Sequence, residues 1–120
     1  EDWDGAVEFL HGEDMLFHDP DPRDVERSKA MMRETGRGVT ERDFLTCDRF
    51  DVRDRLGEIG VPTLAVYGEH DRLTPPAFHE YLVENLPDAE LVEIADAAHL
   101  PFVERPAAFD AAVSELLSGL

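Results

Sequence analysis

Cysteine and lysine are almost absent from this 120-residue sequence; each occurs once, as Cys47 and Lys29. A single cysteine excludes an internal disulfide framework and fits a reducing compartment. No apolar run approaches the roughly 20 residues that cross a bilayer, and no basic stretch leads into an apolar one. Secretion and membrane insertion therefore have no support, and a cytoplasmic location is expected. Bases are scarce as a class: 11 face 28 acids, for a net charge of −17. A field of that sign repels phosphate, which argues against nucleic acid and anionic membranes as partners. The acids run along the whole chain rather than gathering in a tail, so they read as a solvated shell. Such a shell resembles those of salt-adapted proteins and also fits an ordinary acidic cytosolic one. HExxH, CxxC and glycine-rich phosphate loops are missing. His11, His18, His70, His79 and His99 lack the close spacing of a metal site, so no metal or other cofactor is expected.

What remains suits one globular domain, with a hydrophobic fraction of 42%. Residues 1–60 read as helices separated by polar turns. Trp3, Val7 and Leu10 share a helical face. Asp21 is placed to cap a helix with Pro22 at its first position, Val25, Ser28 and Met32 on one face, and Gly36 to Gly38 as its end. Thr40-Glu41-Arg42-Asp43 has the form of a capping box with aspartate in place of glutamate, predicting a short helix that carries Phe44 and Cys47. Asp51 is placed to cap a further helix, with Val52, Leu56 and Ile59 inward and Gly60 at its end.

The texture changes at Val61-Pro62. Thr63-Leu64-Ala65-Val66-Tyr67, stopped by Gly68, reads as a strand buried on both faces of a parallel sheet. Thr74-Pro75-Pro76 opens a helix in which Phe78, Leu82 and Leu86 repeat at four-residue spacing. Pro87-Asp88 is a turn, and Glu90-Leu91-Val92-Glu93-Ile94 a second strand. Pro106 opens a last helix with Phe109, Val113, Leu116 and Leu117 inward. Strand, helix, strand, helix in that order implies an α/β fold with a right-handed crossover. Two strands make a poor sheet alone, and further strands are expected from outside this chain, which opens Glu1-Asp2-Trp3 rather than with methionine.

In open α/β sheets functional groups collect beyond the carboxyl ends of strands. Asp71 follows the first strand there, and His99 the second. An aspartate at such a place is commonly a turn former, and a lone histidine commonly filler. On successive parallel strands, however, the two would meet at one rim, where a carboxylate fixes the tautomer of an imidazole and stabilises its charged form. Asp96 is a rival acid, close to His99 in sequence, although a turn role suits it better.

Three stretches carry a resemblance. Val61-Pro62-Thr63-Leu64-Ala65-Val66-Tyr67-Gly68-Glu69-His70-Asp71-Arg72-Leu73-Thr74-Pro75 is similar to the late strand and acid loop of the α/β-hydrolase fold family. Leu86-Pro87-Asp88-Ala89-Glu90-Leu91 resembles the turn before that family's last strand. Ala98-His99-Leu100-Pro101-Phe102-Val103-Glu104-Arg105-Pro106 resembles its histidine loop, with Ala98 where glycine is usual. The resemblance implies that residues 61–120 are the C-terminal part of the core, with Asp71 the acid and His99 the base of a triad. Less specifically, residues 1–60 resemble the helical cap that many such enzymes insert before the acid strand. Met15, Phe17, Met31 and Met32 are candidates to line a pocket there, though ordinary helix packing is the simpler reading.

The nucleophile elbow of that fold, Gly-x-Ser-x-Gly, does not occur. Ser28, Ser114 and Ser118 lie in predicted helices, and Cys47 reads as a small apolar filler. The expectation is therefore the C-terminal part of a cofactor-independent hydrolase of carboxylic esters or lactones, with its serine upstream and this chain inactive alone. A relative with an upstream aspartate nucleophile (the dehalogenase and epoxide-hydrolase type) and a non-catalytic ligand-binding relative both remain open. The partner expected is a small-molecule ester or lactone; substrate identity and oligomeric state are not legible.

Overall fold

The computed structural model describes residues 2–12 and 15–120. Helix α1 (Trp3–Leu10) starts where the Asp2 carboxylate accepts the Gly5 amide at 2.8 Å. Helix α2 (Pro22–Thr35) starts as its sequence predicts, with the Asp21 carboxylate taking the Arg23 amide and Pro22 at the first turn. The two helices pack through Val7, which is fully buried, and through ion pairs from Arg33 to Asp4 and Glu8 and from Lys29 to Glu8.

The next helix departs from expectation. Helix α3 runs Arg37–Arg49 and begins directly after α2. Gly36, at φ 81, ends one helix and begins the other, a backbone conformation that glycine adopts without a steric penalty. Thr40 is thus inside the helix rather than at its cap, and its hydroxyl donates to the Gly36 carbonyl at 3.2 Å. Cys47 is exposed on this helix rather than packed as filler. A short 3₁₀ segment (Arg53–Glu58) follows with Val52, not Asp51, at its N-cap. The Asp51 carboxylate accepts the Arg53 amide at 3.1 Å from one residue further out, Leu56 is buried and Ile59 is exposed.

Strands β1 (Thr63–Gly68) and β2 (Ala89–Ile94) pair in parallel, Thr63 opposite Ala89 through Gly68 opposite Ile94. Helix α4 (Pro76–Asn85) connects them and packs on both. A short α5 (Pro101–Glu104) and α6 (Pro106–Ser118) follow. Two strands are a narrow platform for these helices. Phe78 on α4 and Leu117 on α6, which was expected to point inward, are therefore about 60% exposed. Among the described residues no helix is long and apolar enough to cross a membrane.

The sheet continues as backbone pairing past its strand ends. Glu69 N donates to the Ile94 carbonyl at 3.0 Å and His70 N to that of Ala97 at 2.9 Å. Gly68 makes this approach sterically allowed, because a Cβ there would lie 2.1 Å from the Ala98 carbonyl oxygen and 2.4 Å from that of Ala97. Gly68→Ala must push the two loops apart and is expected to destabilise the protein by about 1–3 kcal/mol, as overpacking generally does. Denaturant titration of parent and variant measures this, and an unchanged midpoint would contradict the close approach.

Candidate functional site

The β1–α4 loop turns back on itself, the Asp71 amide donating to the Gly68 carbonyl at 3.0 Å. That turn buries the Asp71 side chain and points it at the loop after β2. Four donors meet its two oxygens. Oδ1 accepts the amides of Leu73 and Thr74, each at 2.9 Å, and Oδ2 accepts the Thr74 hydroxyl at 2.9 Å and His99 Nδ1 at 3.0 Å. Burial is the largest single influence on this carboxyl and pushes its pKa up. The Thr74 amide, the His99 and Thr74 side chains and the charge of His99 together outweigh it, so the pKa lies below the ordinary 3.8.

An ionised carboxylate only accepts hydrogen bonds, so the proton between Asp71 and His99 belongs to Nδ1. The neutral imidazole then carries its lone pair on Nε2, on the far side of the ring. The His99 side chain is one-third exposed, at 33%, while that of Asp71 is 3% exposed. A buried anion behind a partly open imidazole can orient the ring and stabilise the imidazolium when Nε2 takes a proton.

The histidine loop is fixed from below. Glu104 Oε2 accepts the Ala98 amide at 2.7 Å, while Oε1 accepts those of His18 at 2.7 Å and Asp19 at 3.2 Å. The His99 amide itself donates to the Leu16 carbonyl at 3.1 Å. One carboxylate thus ties residues 18 and 19 to the loop that carries His99. Ala98, fully buried, occupies the family's usual glycine position without strain, since Asp96 is the one non-glycine residue at positive φ among those described.

Asp71 and His99 are therefore brought together, and Asp96 is not their equal. It sits in the turn after β2 at φ 54, its amide donating to Glu69 Oε2 at 3.2 Å. Residue spacing alone carries no sign of a site role for Thr74 or Glu104. Thr74 could have been sought as the hydroxyl three residues after the acid, where Asx-type turns place one.

The other histidines divide by role. Buried His11 joins Val7 carbonyl at 2.8 Å to the Ser28 hydroxyl at 2.9 Å, bracing α1 on α2. His79 donates from Nε2 to the Thr74 carbonyl at 3.1 Å and stacks on Tyr67, whose hydroxyl donates to Glu93 at 2.9 Å. That bond to Glu93 and burial raise the Tyr67 pKa. His18 and His70 stack face to face with ring centroids 3.6 Å apart.

Of the pocket candidates, Phe17 and Met31 line an open groove of about 470 Å³ with Leu100, Phe102 and Val103, beside the histidine loop. Met15 and Met32 are not among its lining residues.

Parallel strands that set a buried aspartate against a histidine beyond their carboxyl ends define an α/β protein with a charge-paired imidazole site. The sequence profile of the alpha/beta hydrolase fold matches residues 8–106, and the chain belongs to that family. A pimeloyl-(acyl-carrier protein) methyl ester esterase of Neisseria meningitidis serogroup C is 40% identical over 73 residues, which are 61% of this chain and 28% of that protein. A thermophilic esterase of known structure superposes with a TM-score of 0.83 at 31% identity, over 97% of this chain and 46% of that one. The N-acyl homoserine lactone degrading enzyme Est816 gives 0.77 at 27% identity, over 96% and 48%. The chain thus spans less than half the length of these proteins.

Two outcomes follow from the hydrogen bonds. The lowered pKa of Asp71 contributes stability that is complete above the ordinary carboxylate value of 3.8 and is lost as pH falls through the lower folded value. Thr74→Val removes one donor and moves the folded pKa back toward the ordinary one. Stability of the variant is therefore expected to be lower than the parent's at neutral pH, with the difference vanishing in strong acid; chemical unfolding across the acid range checks it. Glu104→Ala leaves three amides without their acceptor and is expected to cost about 1–3 kcal/mol, with Glu104→Gln, which keeps one oxygen, losing less.

Proposed function

We propose that the protein containing this chain hydrolyses a carboxylic ester or lactone, with His99 as general base and Asp71 as the residue that orients it. The observation that carries this reading is the 3.0 Å bond between His99 Nδ1 and the buried Asp71 carboxylate, which leaves Nε2 as the basic nitrogen. The names of the relatives, methyl ester esterase, esterase and lactone-degrading enzyme, support ester over other bonds. Residues 61–120 act as the C-terminal part of the hydrolase core and residues 1–60 as a cap.

The nucleophile is a serine on a strand-to-helix elbow outside these 120 residues. Ser28, bonded to His11, lies inside helix α2 rather than on such a turn. His99 Nε2 takes the serine proton as the hydroxyl attacks the carbonyl carbon, then returns it to the departing alcohol. In the second half, Nε2 takes a proton from a water as its oxygen attacks the acyl carbon, then gives that proton to the serine oxygen as the acyl–serine bond breaks and the acid leaves. Asp71 stays ionised throughout. The apolar groove lined by Phe17, Met31 and Leu100 suits the hydrocarbon part of the acyl group.

In the intact protein, Asp71→Asn and His99→Ala are each expected to lower kcat for a short-chain ester by about 10³–10⁴-fold with KM little changed. Activity within tenfold of the parent in both would remove the assignment. The 120-residue segment alone is expected to be inactive toward the same ester.

A further inference from the structure

We propose that His18, His70 and Asp96 form a binding site for a divalent transition metal of the zinc class, on the rim beside the Asp71–His99 pair. The proposal is independent of the hydrolase reading. The three residues come from separate stretches of chain: the segment before α2, the loop after β1 and the turn after β2. One ligand atom from each lies within 4.8 Å of the other two. His18 and His70 border a hollow of about 280 Å³ together with Glu69, Asp71 and Arg72.

Each of the three is held by backbone contacts. The His18 amide is bound by Glu104 at 2.7 Å, and the His70 amide by the Ala97 carbonyl at 2.9 Å. Asp96 is kept at φ 54, where its amide meets Glu69 Oε2 at 3.2 Å. That same Glu69 oxygen lies 3.6 Å from His70 Nε2, so a second carboxylate stands at the edge of the cluster.

Two imidazoles and a carboxylate suit zinc, cobalt or nickel, whereas magnesium and calcium favour oxygen ligands alone. Bonds of about 2.0–2.1 Å place the ligand atoms of a tetrahedral site roughly 3.4 Å apart. Ligand atoms no more than 4.8 Å apart therefore close by at most about 1.4 Å on binding, and the stacked rings fan open. A site that must rearrange and that leaves a position to water binds at micromolar rather than nanomolar strength. The field of a chain with net charge −17 draws cations toward it, against one local cation, Arg72. The bound ion would pin the segment around His18 to the acid loop.

The test uses the intact protein with Cys47→Ser, so that the exposed thiol takes no metal, and zinc ion as the probe. Competition with a chromophoric chelator is expected to give a saturable micromolar site. His18→Gln and His70→Gln should each weaken it tenfold or more, and zinc should raise the melting temperature of the parent but not of these variants. Absorption spectroscopy at the zinc edge on the unmutated ligands counts imidazoles without relying on variant folding, and two are expected. Affinity unchanged in both histidine variants, no saturable binding below millimolar zinc, or fewer than two imidazoles at the metal would each overturn the proposal.

Discussion

Everything at this rim depends on two stretches of backbone lying closer than side chains allow. Gly68 has no Cβ, so the carbonyls of Ala97 and Ala98 can occupy the space a Cβ would need. The parallel ladder can then continue past both strand ends, through Glu69 to Ile94 and His70 to Ala97. Only with the loops zipped in this way does the Asp71 carboxylate reach His99. The constraint is steric and local, yet it sets the separation on which the hydrogen bond depends.

Given that separation, electrostatics decides the protonation state. A carboxylate taken out of water would normally gain a proton. Asp71 does not, because the backbone amides of its own turn, the Thr74 hydroxyl and His99 supply a full set of donors. Thr74 is itself held from the other side by His79, which rests on Tyr67, which is bonded to Glu93 on β2. The acid loop is thus anchored to the sheet by side chains as well as by backbone. The histidine loop has its own anchor in Glu104.

How much of this is legible in the sequence follows from the range of each interaction. Asp71 and His99 are visible because strand ends are marked by composition, and the rim is where an α/β sheet gathers its chemistry. Asp21 and Pro22 are visible for the same local reason. Thr40 misleads because capping-box letters describe a helix start only if the helix does not begin earlier, and Gly36 begins α3 at Arg37. Glu104 is out of reach, since its partners at 18 and 19 lie more than eighty residues away along the chain and are backbone amides that any residue type would offer. The His18–His70–Asp96 cluster is hidden for a similar reason: no two of its members are near in sequence.

Glu104 also bears on how residues 1–60 and 61–120 relate. The sequence divides at Val61, where helical texture gives way to a strand, and a first segment attached only at that junction would be free to move as a unit. The structure ties it down again at residues 16, 18 and 19, all bound to the loop that carries His99 or to the carboxylate beneath it. Phe17, buried within this tether, lines the apolar groove beside Leu100. A shift of the first segment would therefore be felt at the groove and at the imidazole together. The shape of the groove and the orientation of His99 are thus coupled through one short stretch of backbone, which has to hold its place for either to be well defined.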